Sequence, residues 1–467
     1  MPNVRFLIDG TLVDGESNMP VVNPATGAPF ATAPRASPAQ VERAVAAAVQ
    51  AHPDWSGRPL AERRAVLLRI ADIIDANRDE LTRLLTMEQG KPLAEAGFEV
   101  MICAMMCRIV AGLDLPGVLL EDNDNRRVDA YRRSLGVVAV ITPWNVPLAM
   151  FANKVPAALL AGNTVVLKPA GTTPLSSLRL GELIVDAVPP GVVNVIADAN
   201  DLGDLLTAHP NIRKISFTGS TATGRRVMAS AAPTLKRLTL ELGGNDAGIV
   251  LDDASPATVA PLIFQSAFAN SGQICAAVKR LYVHESIYDD LVTRLTELAS
   301  AAIVGDGLAA DTQFGPVQNK AQFERVKALI EDGRAHGTVL TGGVVSDSAG
   351  YFIRPTIVRD ITDGTRLVDE EQFGPVLPVI KFSDVQDVIR RVNSSAYGLG
   401  GSVWSSDRLR AAEIARQLEC GTVWVNKHLD LDPHIPFGGA KSSGIGVEFA
   451  EEGLHEFTQL QIINVAK

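Results

Sequence analysis

The segment Ser271-Gly272-Gln273-Ile274-Cys275-Ala276-Ala277 sets a cysteine among small residues. An apolar run, Leu262-Ile263-Phe264, precedes it and a β-like run, Arg280-Leu281-Tyr282-Val283, follows. A core cysteine packed by bulky neighbours is inert. Gly272, Ala276 and Ala277 instead let an electrophilic carbon reach the sulfur, as a thiolate nucleophile requires. Upstream, Glu241-Leu242-Gly243-Gly244-Asn245-Asp246 places a carboxylate before a glycine pair at the end of an apolar strand. A general base there has little steric cover, although a surface carboxylate at a hinge would read the same way. Thr142-Pro143-Trp144-Asn145-Val146-Pro147 closes another strand and opens a helix. The amide of Asn145 suits either an oxyanion or a turn and cap. A soft nucleophile, an amide donor and a separate carboxylate together fit addition to a carbonyl, an acyl intermediate and its hydrolysis.

Three further stretches suit a nucleotide. Phe217-Thr218-Gly219-Ser220-Thr221-Ala222-Thr223-Gly224 joins a strand to a helix. Glycines and hydroxyls at a helix N-terminus make an anion site, although an ordinary N-capped helix has the same pattern. Lys168-Pro169 ends the strand Thr164–Leu167, where ligands of an open α/β sheet gather and a lysine meets ribose or phosphate. In Glu370-Glu371-Gln372-Phe373-Gly374-Pro375 a carboxylate and an aromatic ring two residues apart can hold a ribose and a flat ring together.

These residues need strands to aim them. The front of the chain reads as short extended pieces, then a helix starting at Ser37-Pro38. A second, longer helix runs from about Leu60 to Gly90-Lys91-Pro92, and a third covers 94–113. From residue 136 apolar strands (136–142, 163–168, 192–197, 215–218, 238–242) alternate with amphipathic helices, and a second series of the same kind begins near Ala247. The pattern predicts an α/β chain with two doubly wound parallel sheets, each with helices on both faces. The alternating runs 127–135 and 459–465 suit a small β element that reaches another subunit.

The 467 residues are 46% hydrophobic and 21% charged, ordinary globular usage. A net charge of −10 with scattered Lys and Arg argues against nucleic acid or an anionic membrane as partner. The four cysteines, Cys103, Cys107, Cys275 and Cys420, form no metal-ligand spacing, so no metal is expected. With no signal-like apolar core near Met1 and no apolar run long enough to span a bilayer, the expected location is the cytoplasm.

Taken in order, these motifs resemble the aldehyde dehydrogenase superfamily, together with Glu88-Gln89-Gly90-Lys91-Pro92, Gly421-Thr422-Val423-Trp424-Val425-Asn426, Pro436-Phe437-Gly438-Gly439 and Lys441-Ser442-Ser443-Gly444. The resemblance implies a dinucleotide-binding domain (1–115 and 135–243), a catalytic domain (244–443) and an oligomerisation element (116–134 and 444–467). It implies Cys275 as nucleophile, Glu241 as base for a deacylating water, and Asn145 with the Cys275 N–H as oxyanion hole. Cofactor contacts would come from Thr142, Trp144, Lys168, Gly219, Ser220, Leu242, Glu371 and Phe373. Glu448 matches a carboxylate of proton relay in some members.

The cofactor implied is NAD or NADP. Family members often carry an acid three residues after the lysine, where this chain has Gly171, which leaves NADP open with NAD slightly favoured. The partners implied are a small aldehyde and further copies of the chain, as a homodimer or homotetramer. Met150, Asn153, Ile274, Ala276 and residues 427–435 would line the entrance, with Ile274 and Leu431 apolar and His428, Asp430 and Asp432 at a polar mouth. Two alternatives use the same residues: a cofactor-independent thiol hydrolase and a catalytically silent scaffold.

Overall fold

The computed structural model describes residues 4–345 and 348–467. Its first large sheet has eight strands, in the order Thr11–Val13, Phe6–Ile8, Val193–Val195, Thr164–Lys168, Val137–Ile141, Ile212–Thr218, Arg237–Glu241, Gly444–Ile445. The five strands from Val193 to Glu241 are mutually parallel. Val137–Ile141 and Thr164–Lys168 are buried at every residue, as expected of Val-rich strands covered on both faces. From Val137–Ile141 the chain steps outward to Thr164–Lys168 and Val193–Val195. It then returns to the opposite flank for Ile212–Thr218. That reversal opens a crevice at the carboxyl ends, between Thr142 and Gly219.

The second large sheet orders Thr338–Val344, Ile353–Arg359, Val376–Phe382, Arg280–His284, Ala247–Val250, Gly400–Trp404 and Thr422–Val425. It is parallel except for its first pair. The fold is therefore α/β with two parallel-strand sheets and smaller sheets beside them, as the alternation predicts.

Several local details differ from the sequence reading. The long second helix is two, Leu60–Ala76 and Arg78–Gln89. Asn77 leaves helical geometry between them, and its side chain donates to the Ile73 carbonyl at 2.8 Å. Short polar side chains compete with the helix for backbone partners in this way. The first large sheet also carries antiparallel edges, from the Phe6–Ile8/Thr11–Val13 hairpin and from Gly444–Ile445. Thr458–Ala466 pairs along its whole length with Arg126–Ser134, so the two alternating runs form one small β element. Val118–Asp122 completes that three-stranded sheet. The start at Ser37 is as read: its hydroxyl accepts from the Gln40 N–H while Gln40 reaches back to the Ser37 N–H, a capping box before Pro38.

Candidate active site

The cysteine segment is presented by strained backbone. Asn270, Ser271 and Gly272 take positive φ in succession (49°, 56° and 71°). Two of the three are not glycine, and such strain persists only where surroundings hold it. The holding bonds are specific. Ser271 Oγ donates to the Gly315 carbonyl at 2.7 Å and Gln273 Nε2 to the Asn270 carbonyl at 2.8 Å. The Gln273 side-chain oxygen accepts from the Gln318 N–H at 2.9 Å. Gly272 is required because a Cβ there would lie 2.3 Å from the Gly374 carbonyl oxygen. The thiol of Cys275 that follows is half-buried.

Asn145 meets this loop directly. Its Nδ2 donates to the Gln273 carbonyl at 2.8 Å, which leaves its second amide hydrogen free. Its own carbonyl accepts from Lys91 Nζ at 2.9 Å and from Asn270 Nδ2 at 3.0 Å. Lys91 is in turn buried against Glu99, whose other oxygen accepts the Leu148 and Ala149 N–H groups at the start of helix Pro147–Leu160. The corner Trp144-Asn145-Val146 is thus clamped from both sides. Sequence motifs included Lys91 without giving it this task, and Glu99 was missed: a glutamate on an apolar helix carries no sign of its partner.

Glu241 ends strand Arg237–Glu241, 5% exposed, and its Oε1 has no hydrogen-bond partner among the described residues. Burial, reinforced by the nearby Glu448 carboxylate and opposed by Lys154, pushes its carboxyl well above the usual range. Lys154 and Glu448 form a fully buried ion pair. Glu448 is fixed by paired backbone bonds to Phe437, at 2.7 and 2.9 Å. The Cys275 thiol is likewise pushed up to about 12, first by burial, with Glu241, Asp246 and Glu371 adding to the rise and Lys279 opposing it.

Of the cofactor candidates, Thr142, Lys168 and the Gly219-Ser220 turn stand at the carboxyl ends of the first sheet's parallel strands, while Leu242 packs against the helix at Gly224. Ser220 caps helix Thr221–Ala231, its hydroxyl accepting from the Thr223 N–H at 3.3 Å. Gly224 lets that helix approach the sheet, since a Cβ would sit 2.4 Å from Leu242 Cδ2. The Gly219 N–H is bonded to the Glu241 carbonyl at 3.0 Å. Thr142 is buried with its hydroxyl unpartnered among the described residues, an orphan that a ligand can satisfy. From the second sheet's side, Glu371 Oε1 accepts the Gly244 N–H at 3.0 Å, and Phe373 meets Trp144 edge-on at 5.3 Å between ring centres. An open helix N-terminus, an orphan hydroxyl, a carboxylate and a lysine along one crevice fit a dinucleotide.

Beside Gly171 the structure adds an acid from another loop: Lys168 Nζ is bonded to Asp198 Oδ1 at 2.5 Å. The loop carrying Asp198 fills the space beside Gly171, where a Cβ would lie 2.5 Å from the Asp198 carbonyl oxygen. His428 is not part of a polar mouth. Its ring is buried, bonded through Nε2 to the Ala276 carbonyl at 2.8 Å and tilted against the Trp424 ring at 4.8 Å between centres, and burial pushes its pKa down to about 3. Leu431 is 41% exposed, as an entrance residue would be. Asn153 lines a small pocket with Met106, Ile109, Pro433, Glu448 and Phe449.

The aldehyde dehydrogenase family model matches residues 12–463, and the chain belongs to that family. A phenylacetaldehyde dehydrogenase of Pseudomonas fluorescens is 40% identical over 99% of this chain and 96% of its own length. The structure of an aldehyde dehydrogenase from Bacillus cereus, solved as an NAD+ complex, superposes with a TM-score of 0.97 at 35% identity, covering 100% of this chain and 97% of that one. An NADP-dependent enzyme of E. coli gives the same TM-score and identity, with 100% and 98% coverage. The chain is an oxidoreductase using NAD or NADP. No helix among the described residues is long and apolar enough to cross a membrane.

Proposed function

We propose that the protein oxidises apolar aldehydes to carboxylic acids through a thioester on Cys275. The observation that supports this reading is the convergence of Cys275, Asn145 and Glu241 from three separate elements. The thiol releases its proton to solvent as sulfur bonds to the aldehyde carbon, forming a thiohemiacetal oxyanion that accepts hydrogen bonds from the free Asn145 N–H and the Cys275 N–H. The bound dinucleotide supplies the hydride acceptor. Lys168, Ser220, Thr142, Glu371 and Phe373 would hold it. Glu241 then removes a proton from the water that attacks the thioester, and the acid leaves. Glu448 and Lys154 form the polar route by which that proton departs from Glu241.

The substrate class follows from what surrounds the thiol. Cys275 packs with Leu429 and Phe449 against a cluster of Ala276, Leu399, Trp424 and Phe437. Such a lining favours an alkyl or aryl group over a charged one, and the Pseudomonas relative is named for an arylacetaldehyde. Of the two cofactors, NAD+ is favoured, because the cation at the ribose end is already neutralised by Asp198. We assign residues 1–115 and 135–243 to dinucleotide binding, 244–443 to catalysis and the remaining segments to assembly as a homo-oligomer.

The test follows formation of reduced nicotinamide with aliphatic, aromatic and dicarboxylic semialdehyde substrates, using NAD+ and NADP+ in turn. Turnover should be greatest with apolar aldehydes and NAD+ and vanish in Cys275→Ala. Near-normal oxidation by Cys275→Ala would overturn the mechanism.

A further inference from the structure

We propose that Lys279 is a positioning residue for the nucleophile, its buried ammonium gripping the main chain of Ile274 and Cys275 and linking it to the Glu371 carboxylate. The inference deepens the reading above and rests on Cys275 being the nucleophile.

Lys279 is 3% exposed, four residues beyond Cys275 and next to strand Arg280–His284. Its Nζ donates to the Ile274 carbonyl at 2.9 Å and also to the Cys275 carbonyl. It lies 3.8 Å from Glu371 Oε1 and 6.0 Å from the centre of the Phe373 ring. A buried ammonium is tolerated only when hydrogen bonds and opposite charge replace its water. Here those replacements are the backbone of the nucleophile and a carboxylate expected to hold the cofactor. The main chain of Lys279 is anchored as well, its N–H to the Asp246 carbonyl at 2.9 Å and its carbonyl to Gln372 Nε2 at 3.2 Å.

The grip has a directional consequence. Across a trans peptide the C=O and the next N–H point opposite ways. Drawing the Ile274 carbonyl toward Lys279 therefore fixes the direction of the Cys275 N–H, the backbone donor of the proposed oxyanion hole. The charge also matters. Around the thiol stand Lys279 and the acids Glu241, Asp246 and Glu371. Arg280 and Lys154 act on those acids, and His428 beside Ala276 is uncharged. Lys279 is the cation that opposes the rise of the thiol pKa.

The experiment compares the full-length protein with Lys279→Gln, Lys279→Arg and Lys279→Met. Cys275 alkylation by iodoacetamide is followed from mildly acid to strongly alkaline pH, with Cys275→Ala as the background for other thiols. Gln keeps a donor for the carbonyls without the charge, Arg keeps both, and Met keeps neither. Lys279→Gln should move the alkylation profile to higher pH and slow labelling at mildly alkaline pH by about tenfold, the equivalent of one pKa unit. Lys279→Arg should restore most of the rate. Lys279→Met should match Gln in its profile and also lose the burst of reduced nicotinamide through misdirection of the Cys275 N–H. If Met does not fold, the Gln and Arg pair decides. Wild-type profiles in a folded Lys279→Gln or Lys279→Met protein would overturn the proposal. Should alkylating wild-type Cys275 leave oxidation intact, the nucleophile assignment fails instead.

Discussion

Replacing Asn145 with alanine separates its two bonds, because one is structural and the other exists only in the reaction. The structural bond, to the Gln273 carbonyl at 2.8 Å, has a reserve: Asn270 Nδ2 also approaches that oxygen at 3.4 Å. Its loss should cost about 1 kcal/mol of stability, the net worth of one satisfied hydrogen bond. The Asn145 carbonyl keeps Lys91 and Asn270, so the corner stays in place. The second amide hydrogen meets the charge that grows on the aldehyde oxygen, and removing such a donor costs about 2.7–4 kcal/mol of barrier, or roughly 10²–10³ in rate. Rapid mixing with NAD+ and a good aldehyde should show the burst of reduced nicotinamide slowed by that factor. Cys275 alkylation, which builds no oxyanion, should proceed at the wild-type rate. A burst within about threefold of wild type would remove Asn145 from the oxyanion hole, since it corresponds to less than 1 kcal/mol of transition-state stabilisation.

Glu241→Gln should retain a full burst and slow steady turnover by about 10²–10⁴, the usual contribution of a general base; a lost burst with normal hydrolysis of preformed thioester would contradict that role. Because burial holds both the Glu241 carboxyl and the Cys275 thiol above their ordinary pKa values, each gains its reactive, deprotonated form as pH rises. Oxidation should therefore climb from neutral into alkaline solution, and a falling profile over that range would refute the pairing. Asp198→Asn removes the acid from Lys168 and should tighten binding of NADP+ relative to NAD+ by roughly tenfold, about 1.4 kcal/mol, measured by calorimetry; an unchanged ratio would show that Asp198 does not discriminate.

Cys275, Glu241 and Asn145 drew notice as candidate reacting groups because each sits beside backbone signals: glycines, prolines, and strands that end abruptly. The parallel sheets follow from continuous Val-rich runs such as Val137–Ile141. Partners brought together by folding left no local trace. Glu99 reads as a lone acid on an apolar helix until Lys91 and the Leu148 N–H are placed against it. Lys279 reads as a loop lysine until its ammonium is found under Cys275. Asp198 left no trace for the converse reason: the absent side chain of Gly171 says nothing about which loop fills its space, and here that loop brings Asp198. His428 followed the same rule, a polar residue in a polar stretch that turns inward onto Trp424.

The edge strand Gly444–Ile445 bears on the order in which the molecule is made. It pairs with Leu240 and Glu241, and the Ser443 carbonyl takes the Leu242 N–H at 2.9 Å. The strand that carries Glu241 thus waits for a neighbour encoded on the far side of the entire second sheet. Glu448, which stands beside Glu241, arrives later still. On the ribosome, where earlier segments fold as they emerge, the dinucleotide crevice and the cysteine loop can form while the hydrolytic corner is still open. An incomplete chain of this protein would hold a nucleophile without a finished means of releasing what it captures. Under the mechanism proposed above, completing the corner around Glu241 falls to the C-terminal segment.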